Sequence, residues 1–357
     1  MHPRHMIDLD QLTLPQLEEI TRMAHAIYKN PGHYRDACHG KIMATLFYEP
    51  STRTQMSFQA AMMRLGGNVI GFDNPAFSSV VKGENLKDTV RVVSNYADLI
   101  VLRHPKEGAA KAAMLYSKGP VINAGDGGHL HPTQTLTDLA TLSETKGRLN
   151  RLTVGLCGDL RYGRTVHSLI KTLSRYGQNR FVLISTPELC VPEYIKDAMN
   201  RAGCPFEEVF DLGEAISRLD VLYMTRIQRE RFPSNEEYER QKGVYLLTQD
   251  KLRLAKNDMR ILHPLPRVDE IAPEIDDDPR AVYFEQTEYG MYARMALILF
   301  VLDAKNAVAA AAVGDNSPLR CANPNCVTGT EDYLPNLFEK GGRFDVCEYC
   351  EHQNDPA

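Results

Sequence analysis

The sequence predicts an α/β protein: two parallel-sheet α/β domains with a cleft between them, followed by a small C-terminal module. Three observations carry that expectation. The chain has 357 residues, more than one hydrophobic core ordinarily organises. Short apolar runs alternate with amphipathic stretches of helical period in two successive series, parted by Lys146-Gly147. Four of the eight cysteines, Cys321, Cys326, Cys347 and Cys350, gather near the C-terminus, while Cys38, Cys157, Cys190 and Cys204 are scattered like the small apolar fillers of a reduced protein.

Composition narrows the class. A net charge of -5 with mixed signs disfavours a general nucleic-acid binder and leaves room for a local cationic pocket. No N-terminal stretch has the basic-then-apolar form of a signal peptide, and the most apolar stretch, 295–302, is too short to span a bilayer. The expectation is a cytoplasmic protein with no membrane and no nucleic-acid partner.

In chain order, Thr13-Leu-Pro-Gln16 reads as a capping box with proline in the first turn, opening a helix that Pro31-Gly32 stops. A buried strand over 42–47 breaks at Glu49-Pro50, and a helix begins at about Ser51 and ends at Gly66-Gly67. Strands over 69–72, 99–103 and 121–123 alternate with helices over 86–96 and 108–116, and a helix over 132–144 closes the first series. The second series has strands over 152–157, 181–185, 221–223 and 260–262, and a helix over 288–304 returns to the first domain. The expected division is 1–144, 145–288, a returning helix over 289–306, a linker over 307–318 and the cysteine module over 319–357.

Ligands of parallel sheets bind beyond the carboxyl ends of the strands, and the polar clusters fall there. After the first strand stands Phe47-Tyr-Glu-Pro-Ser51-Thr52-Arg53-Thr54. A strand, a tight turn and a helix start aim backbone N–H groups and the positive dipole end at one spot. Ser51, Thr52 and Thr54 add hydroxyls, and Arg53 adds a fork suited to phosphate oxygens. An ordinary helix cap with a surface arginine is the plainer reading.

Ser78 and Lys82 lie on a Gly/Pro/Ser-flanked loop that brings one lysine to a site or leaves it in solvent. Arg103 ends a strand, and His131-Pro-Thr-Gln134 opens a helix with His131 and Gln134 about one turn apart. Gly158-Asp-Leu-Arg-Tyr-Gly163-Arg164 repeats the Gly-rich turn into a helix but lacks the G-x-G-x-x-G spacing of a dinucleotide site. The guanidiniums of Arg164 and Arg226, with Lys82, suit a dicarboxylate. In His263-Pro264-Leu265-Pro266 a cis peptide before Pro266 would aim a backbone carbonyl at an amino group.

From the first helix to about Lys305, these stretches resemble the signature of the carbamoyltransferase family, the aspartate and ornithine enzymes. The resemblance implies an active site in the interdomain cleft. There the α-amino group of L-aspartate attacks the carbamoyl carbon of carbamoyl phosphate and phosphate leaves, giving N-carbamoyl-L-aspartate for pyrimidine synthesis without a catalytic cofactor. It assigns carbamoyl phosphate to Ser51, Thr52, Arg53, Thr54, Arg103, His131, Gln134, the Leu265 and Pro266 backbone, and Ser78. Catalysis falls to Arg53, Thr54, Arg103 and His131, and aspartate to Lys82, Arg164, Arg226 and Gln228. Glu49 and Arg231 would orient Arg164. In the family a serine–lysine loop enters the neighbour's site; here it carries Ser78 (or the adjacent Ser79) and Lys82, which implies a homotrimer or a pair of trimers. Val81 stands where some relatives carry a second basic residue.

Pro264, where the ornithine branch usually has cysteine, and the Ser78–Lys82 loop both favour aspartate over ornithine as acceptor. A catalytically silent binding subunit is the rival from another class.

Cys321-x₄-Cys326 and Cys347-x₂-Cys350 give four thiolates at the spacing of a tetrahedral structural zinc site, one ion per chain, with two disulfides as the alternative. The module is therefore zinc-ribbon-like, too small to fold on its own core. It resembles the zinc domain of the family's separate regulatory chain, with two departures. It is fused to the catalytic chain, and the nucleotide-binding domain that normally precedes it is missing. Zinc would then serve assembly or stability, and ATP and CTP would have no site.

Overall fold

Behind the expected capping box begins α1 (Leu14–Lys29), with the Gln16 side chain accepting the Thr13 N–H at 2.9 Å. The structure is a computed structural model that describes residues 4–227, 232, 234–306, 316–340 and 344–355. Two units divide the chain: Met1–Thr133 with Met291–Ala357, and Gln134–Gly290.

The first unit is built on β1 (Ile42–Phe47), β2 (Asn68–Phe72), β3 (Leu99–His104) and β4 (Val121–Asp126), all parallel, in the order β2-β1-β3-β4. Helices α2 (Thr52–Arg64), α3 (Leu86–Val93) and α4 (Ala109–Met114) connect the strands. The central strand β1 is buried from Met43 onward, as its unbroken apolar run requires when both faces are covered. Four buried alanines of α4, Ala109, Ala110, Ala112 and Ala113, let that helix lie close to its neighbours. Met6 extends the β4 edge: its N–H donates to Val121 and its carbonyl accepts from Asn123, both at 2.8 Å. Helices α3 and α4 stop short of the expected 96 and 116, in turns around Asn95 and Tyr116.

The chain continues through α5 (Pro132–Lys146), β5 (Thr153–Cys157), α6 (Arg164–Ser174), β6 (Arg180–Ile184), α7 (Glu193–Arg201), β7 (Phe206–Val209), the single turn α8 (Leu212–Ala215) and β8 (Val221–Met224). Then come α9 (Asn235–Gln241), the single turn α10 (Gln249–Leu252), β9 (Arg260–Leu262) and α11 (Glu285–Leu302), and the division between the units falls inside α5 and α11. The second sheet is parallel, in the order β7-β6-β5-β8-β9. The sequence does not announce β7: a four-residue, partly exposed edge strand with two glutamates has no apolar run to read.

A third sheet, antiparallel, joins β10 (Phe338–Lys340), β11 (Asp345–Cys347) and β12 (Gln353–Asn354) in the cysteine module. Its buried Val327, Leu337, Cys347 and Tyr349 form one apolar cluster with Leu86, Val90, Ala109 and Ala113 of the first unit. Polar seams close the contact. Glu107 N–H donates to Asn325 and its carbonyl accepts from Val327, both at 2.9 Å. Tyr333 hydroxyl accepts the Lys87 N–H at 2.8 Å, and Lys111 pairs with Glu348 at 3.1 Å. Too small for a core of its own, the module completes itself on the first sheet's helices. No helix among the described residues is long and apolar enough to cross a membrane.

Candidate active site and cysteine centre

In each parallel sheet the strand order reverses once, between β1 and β3 in the first and between β5 and β8 in the second. Crevices open at such switch points. Residues 51–54, Arg103, Arg164 and Arg226 stand at or after the ends of these four strands, while Ser78 and Lys82 follow β2, His131 and Gln134 follow β4, and Leu265-Pro266 follows β9.

Ser51 is the N-cap of α2, so Thr52, Arg53 and Thr54 form its first turn, where backbone N–H groups have no partner inside the helix. Arg103, at the end of β3, is only 8% exposed. Its Nη2 meets Glu49 Oε2 at 2.8 Å, its Nη1 donates to the Ala124 carbonyl at 3.2 Å, and the same Nη1 lies 3.5 Å from Nε2 of the buried His131. Burial pulls both arginines below the ordinary guanidinium value; at Arg103 the pull is opposed by Glu49 and reinforced by the charge of Arg53. Two crowded, partly desolvated guanidiniums beside a helix N-terminus are short of negative charge. That is the electrostatic profile of an anion site.

Ser78 is occupied within its own loop, donating to the Pro75 carbonyl at 2.8 Å and accepting the Val80 N–H at 3.3 Å. Lys82 ends a 3-10 turn on the same loop and is exposed. Neither is hydrogen-bonded to the group around Arg103.

In the second unit, Gly158 lets the ends of β5 and β8 meet: at φ +118°, a Cβ there would lie 2.3 Å from the Thr225 carbonyl oxygen. Thr225 hydroxyl accepts the Asp159 N–H at 3.1 Å, and Asp159 carboxylate accepts the Tyr162 N–H at 2.9 Å, which shapes the turn that places Arg164 first on α6. His167, one turn further on, is joined through Nε2 to the Leu160 carbonyl at 2.8 Å and takes the Tyr194 hydroxyl on Nδ1 at 3.0 Å. Burial pushes its pKa down to about 4, so it braces this turn as the neutral imidazole. Arg226 follows β8 and is partly exposed. Gln228 and Arg231 lie outside the described residues. Glu49 is paired with Arg103.

The Leu265-Pro266 peptide is cis. Its loop is held by His263, whose Nδ1 accepts the Leu265 N–H at 2.7 Å and whose Nε2 meets Glu270 at 2.6 Å. Glu270 also accepts the N–H groups of Val268 and Asp269, both at 3.1 Å. Gln134 donates to Asp138 at 2.9 Å. Sequence reasoning did not single out Asp138, Glu270 or Gln286, which are isolated polar residues without a spacing signal.

All eight cysteines are free thiols. The sulfurs of Cys321, Cys326, Cys347 and Cys350 lie within 4.8 Å of one another, with Cys321–Cys350 at 3.6 Å and Cys326–Cys347 at 3.9 Å. A tetrahedral ion with metal–sulfur bonds near 2.3 Å separates its sulfurs by about 3.8 Å, so the donor set fits one metal ion. Hydrogen bonds from Cys347 and Cys350 favour a first thiolate at Cys326, and the hydrogen bonding that stabilises it holds the other two up. A cation is what would let all four ionise.

Comparison with known proteins accords with this geometry. The carbamoyl-P binding domain of aspartate/ornithine carbamoyltransferase matches residues 4–144, and the Asp/Orn binding domain matches residues 150–301. The chain belongs to the aspartate/ornithine carbamoyltransferase family. Within it, the chain is 58% identical over 300 residues to the aspartate carbamoyltransferase catalytic subunit of Clostridium perfringens, covering 84% of this chain and 98% of that one. It is 56% identical over 299 residues to the subunit of the same name from Clostridium novyi, with the same coverage. The catalytic subunit of aspartate transcarbamoylase from M. jannaschii superposes with a TM-score of 0.79 at 45% identity, over 83% of this chain and 97% of that one. Aspartate transcarbamoylase from Trypanosoma cruzi in complex with N-(phosphonacetyl)-L-aspartic acid gives 0.78 at 36% identity, over 86% and 97%. The cysteine module lies beyond both family matches.

Proposed function

We propose that the chain transfers the carbamoyl group of carbamoyl phosphate to the α-amino group of L-aspartate, giving N-carbamoyl-L-aspartate and phosphate. The observation that carries the reading is Arg103, buried between Glu49 and His131 and sharing the field of Arg53 beside the α2 N-terminus. The first turn of α2, with Ser51, Thr52, Arg53 and Thr54, holds the phosphate. Thr54, Arg103 and His131 donate to the carbamoyl oxygen as the amine attacks and that oxygen gains charge; fixed donors at such a position are each worth about two to three orders of magnitude in rate. The C–O bond to phosphate breaks, and the departing phosphate takes its electron pair and accepts the proton that the amine gives up. No side-chain nucleophile is needed. Gln134 and the Leu265-Pro266 backbone position the carbamoyl nitrogen and the amine, while Arg164, Arg226 and Gln228 hold the two aspartate carboxylates.

Ser78 and Lys82 act in this reading from a neighbouring copy, in a cytoplasmic homotrimer or pair of trimers; the exposure of Lys82 and the self-contained bonding of Ser78 support it. The four cysteines hold one structural zinc ion per chain. The test is an acceptor panel with carbamoyl phosphate: phosphate release with L-aspartate and none with L-ornithine is expected. Release with ornithine alone would move the chain to the other branch, and release with neither would favour a silent subunit.

A further inference from the structure

Asp138 is wholly buried on α5, one turn beyond Gln134. Its Oδ1 takes two amide donors, Gln134 Nε2 at 2.9 Å and Gln286 Nε2 at 2.7 Å. An oxygen that accepts from both amides holds each glutamine with its nitrogen toward the carboxyl group. Gln286 agrees with that orientation, because its Oε1 accepts the His263 N–H at 3.0 Å. The same constraint applies to Gln134: with Nε2 committed to Asp138, its Oε1 faces away from that carboxylate. Partly exposed where Asp138 is not, Gln134 presents its acceptor oxygen on the side away from that carboxylate.

We propose that Asp138 is a specificity-determining positioning residue, which fixes Gln134 as a hydrogen-bond acceptor and so selects the NH₂ of carbamoyl phosphate over the methyl of an acyl phosphate such as acetyl phosphate. The inference rests on the carbamoyl transfer reading above and deepens it. A carbamoyl NH₂ donates to Gln134 Oε1, whereas a methyl group leaves that oxygen unmatched and a flipped glutamine would set NH₂ against NH₂. One such mismatch is worth about tenfold in affinity. The network also reaches the loop of Pro266. Gln286 holds His263, and His263 holds Leu265, so one buried carboxylate sets both Gln134 and the loop of Pro266.

The test uses the full metal-loaded chain and compares the KM for carbamoyl phosphate with the Ki of acetyl phosphate competing against it. Asp138→Asn offers Gln134 an amide that can donate or accept, which frees the flip. The expected result is a carbamoyl phosphate KM raised about tenfold with the acetyl phosphate Ki held within about twofold. Asp138→Ser, which removes the carboxylate with a smaller polar side chain, is the second variant should Asp138→Asn fail to fold, and it should show the same one-sided shift. Both constants rising together, or neither moving, would overturn the proposal by reducing Asp138 to packing. A parent chain that does not turn over carbamoyl phosphate with aspartate would instead bring down the reaction reading, and this inference with it.

Discussion

Arg103 reaches Glu49 at 2.8 Å across the carboxyl ends of β1 and β3, while its other terminal nitrogen lies 3.5 Å from His131. The ion pair orients the guanidinium in the absence of substrate. Glu49 offsets part of the charge that burial and Arg53 disfavour. A phosphate dianion offers the same compensation with more charge, so the site is arranged to prefer a ligand of that class.

Replacing His131 with alanine should leave the melting temperature nearly unchanged and lower kcat by about two to three orders of magnitude, since in the proposed reaction it is one donor to the developing oxyanion. Steady-state kinetics alongside a thermal melt make the check. Unchanged turnover would take histidine out of the mechanism.

Gly108 opens α4 at φ +83°, and a Cβ there would lie 2.5 Å from Tyr349 of the cysteine module. Gly108→Ala therefore meets both an unfavourable backbone conformation and a clash, and should destabilise the chain by about 1–3 kcal/mol. Urea unfolding would read the loss. A variant as stable as the parent would mean that the module does not seat against α4 in solution.

His104 and His167 are both held neutral in the fold, with the ordinary value of 6.5 pushed down to about 4 by burial. Between those values the unfolded chain takes a proton at each site that the fold refuses, so their contribution to stability is intact above pH 6.5 and is lost as the pH falls toward 4. Each accounts for roughly 3 kcal/mol across that window. Unfolding free energies at pH 7 and pH 5 should differ in this direction, and His167→Asn should reduce the difference. An unaltered pH slope in that variant would contradict the assignment.

Metal analysis should find one zinc per chain, and chelation should lower the melting temperature by about 5–10 °C, because the module's core is continuous with that of the first unit. Equal melting temperatures with and without chelator would leave the metal no structural part.

Much of this was legible in the sequence where the cause is local. The apolar run 42–47, the Glu-Pro break and the Ser-Thr-Arg-Thr turn specify a strand, a stop and a helix start within a few residues, and the structure has β1 and α2 there. The cysteine spacing likewise announces four converging sulfurs. What was not legible depends on distance along the chain. Asp138 and Gln286 are 148 residues apart, and Glu331 reaches the Leu86 N–H, at the start of α3, across 245. No local pattern marks such partners; only the topology of the sheets brings them together. The edge strand β7 escaped for another reason, since a partly exposed strand need not be apolar.

The most direct test of the central assignment is the rate of N-carbamoyl-L-aspartate formation as L-aspartate is varied at saturating carbamoyl phosphate. A saturable curve, with one phosphate released per carbamoylaspartate formed, is the expected result. Phosphate release that does not depend on aspartate, or no carbamoylaspartate at any concentration, would contradict it.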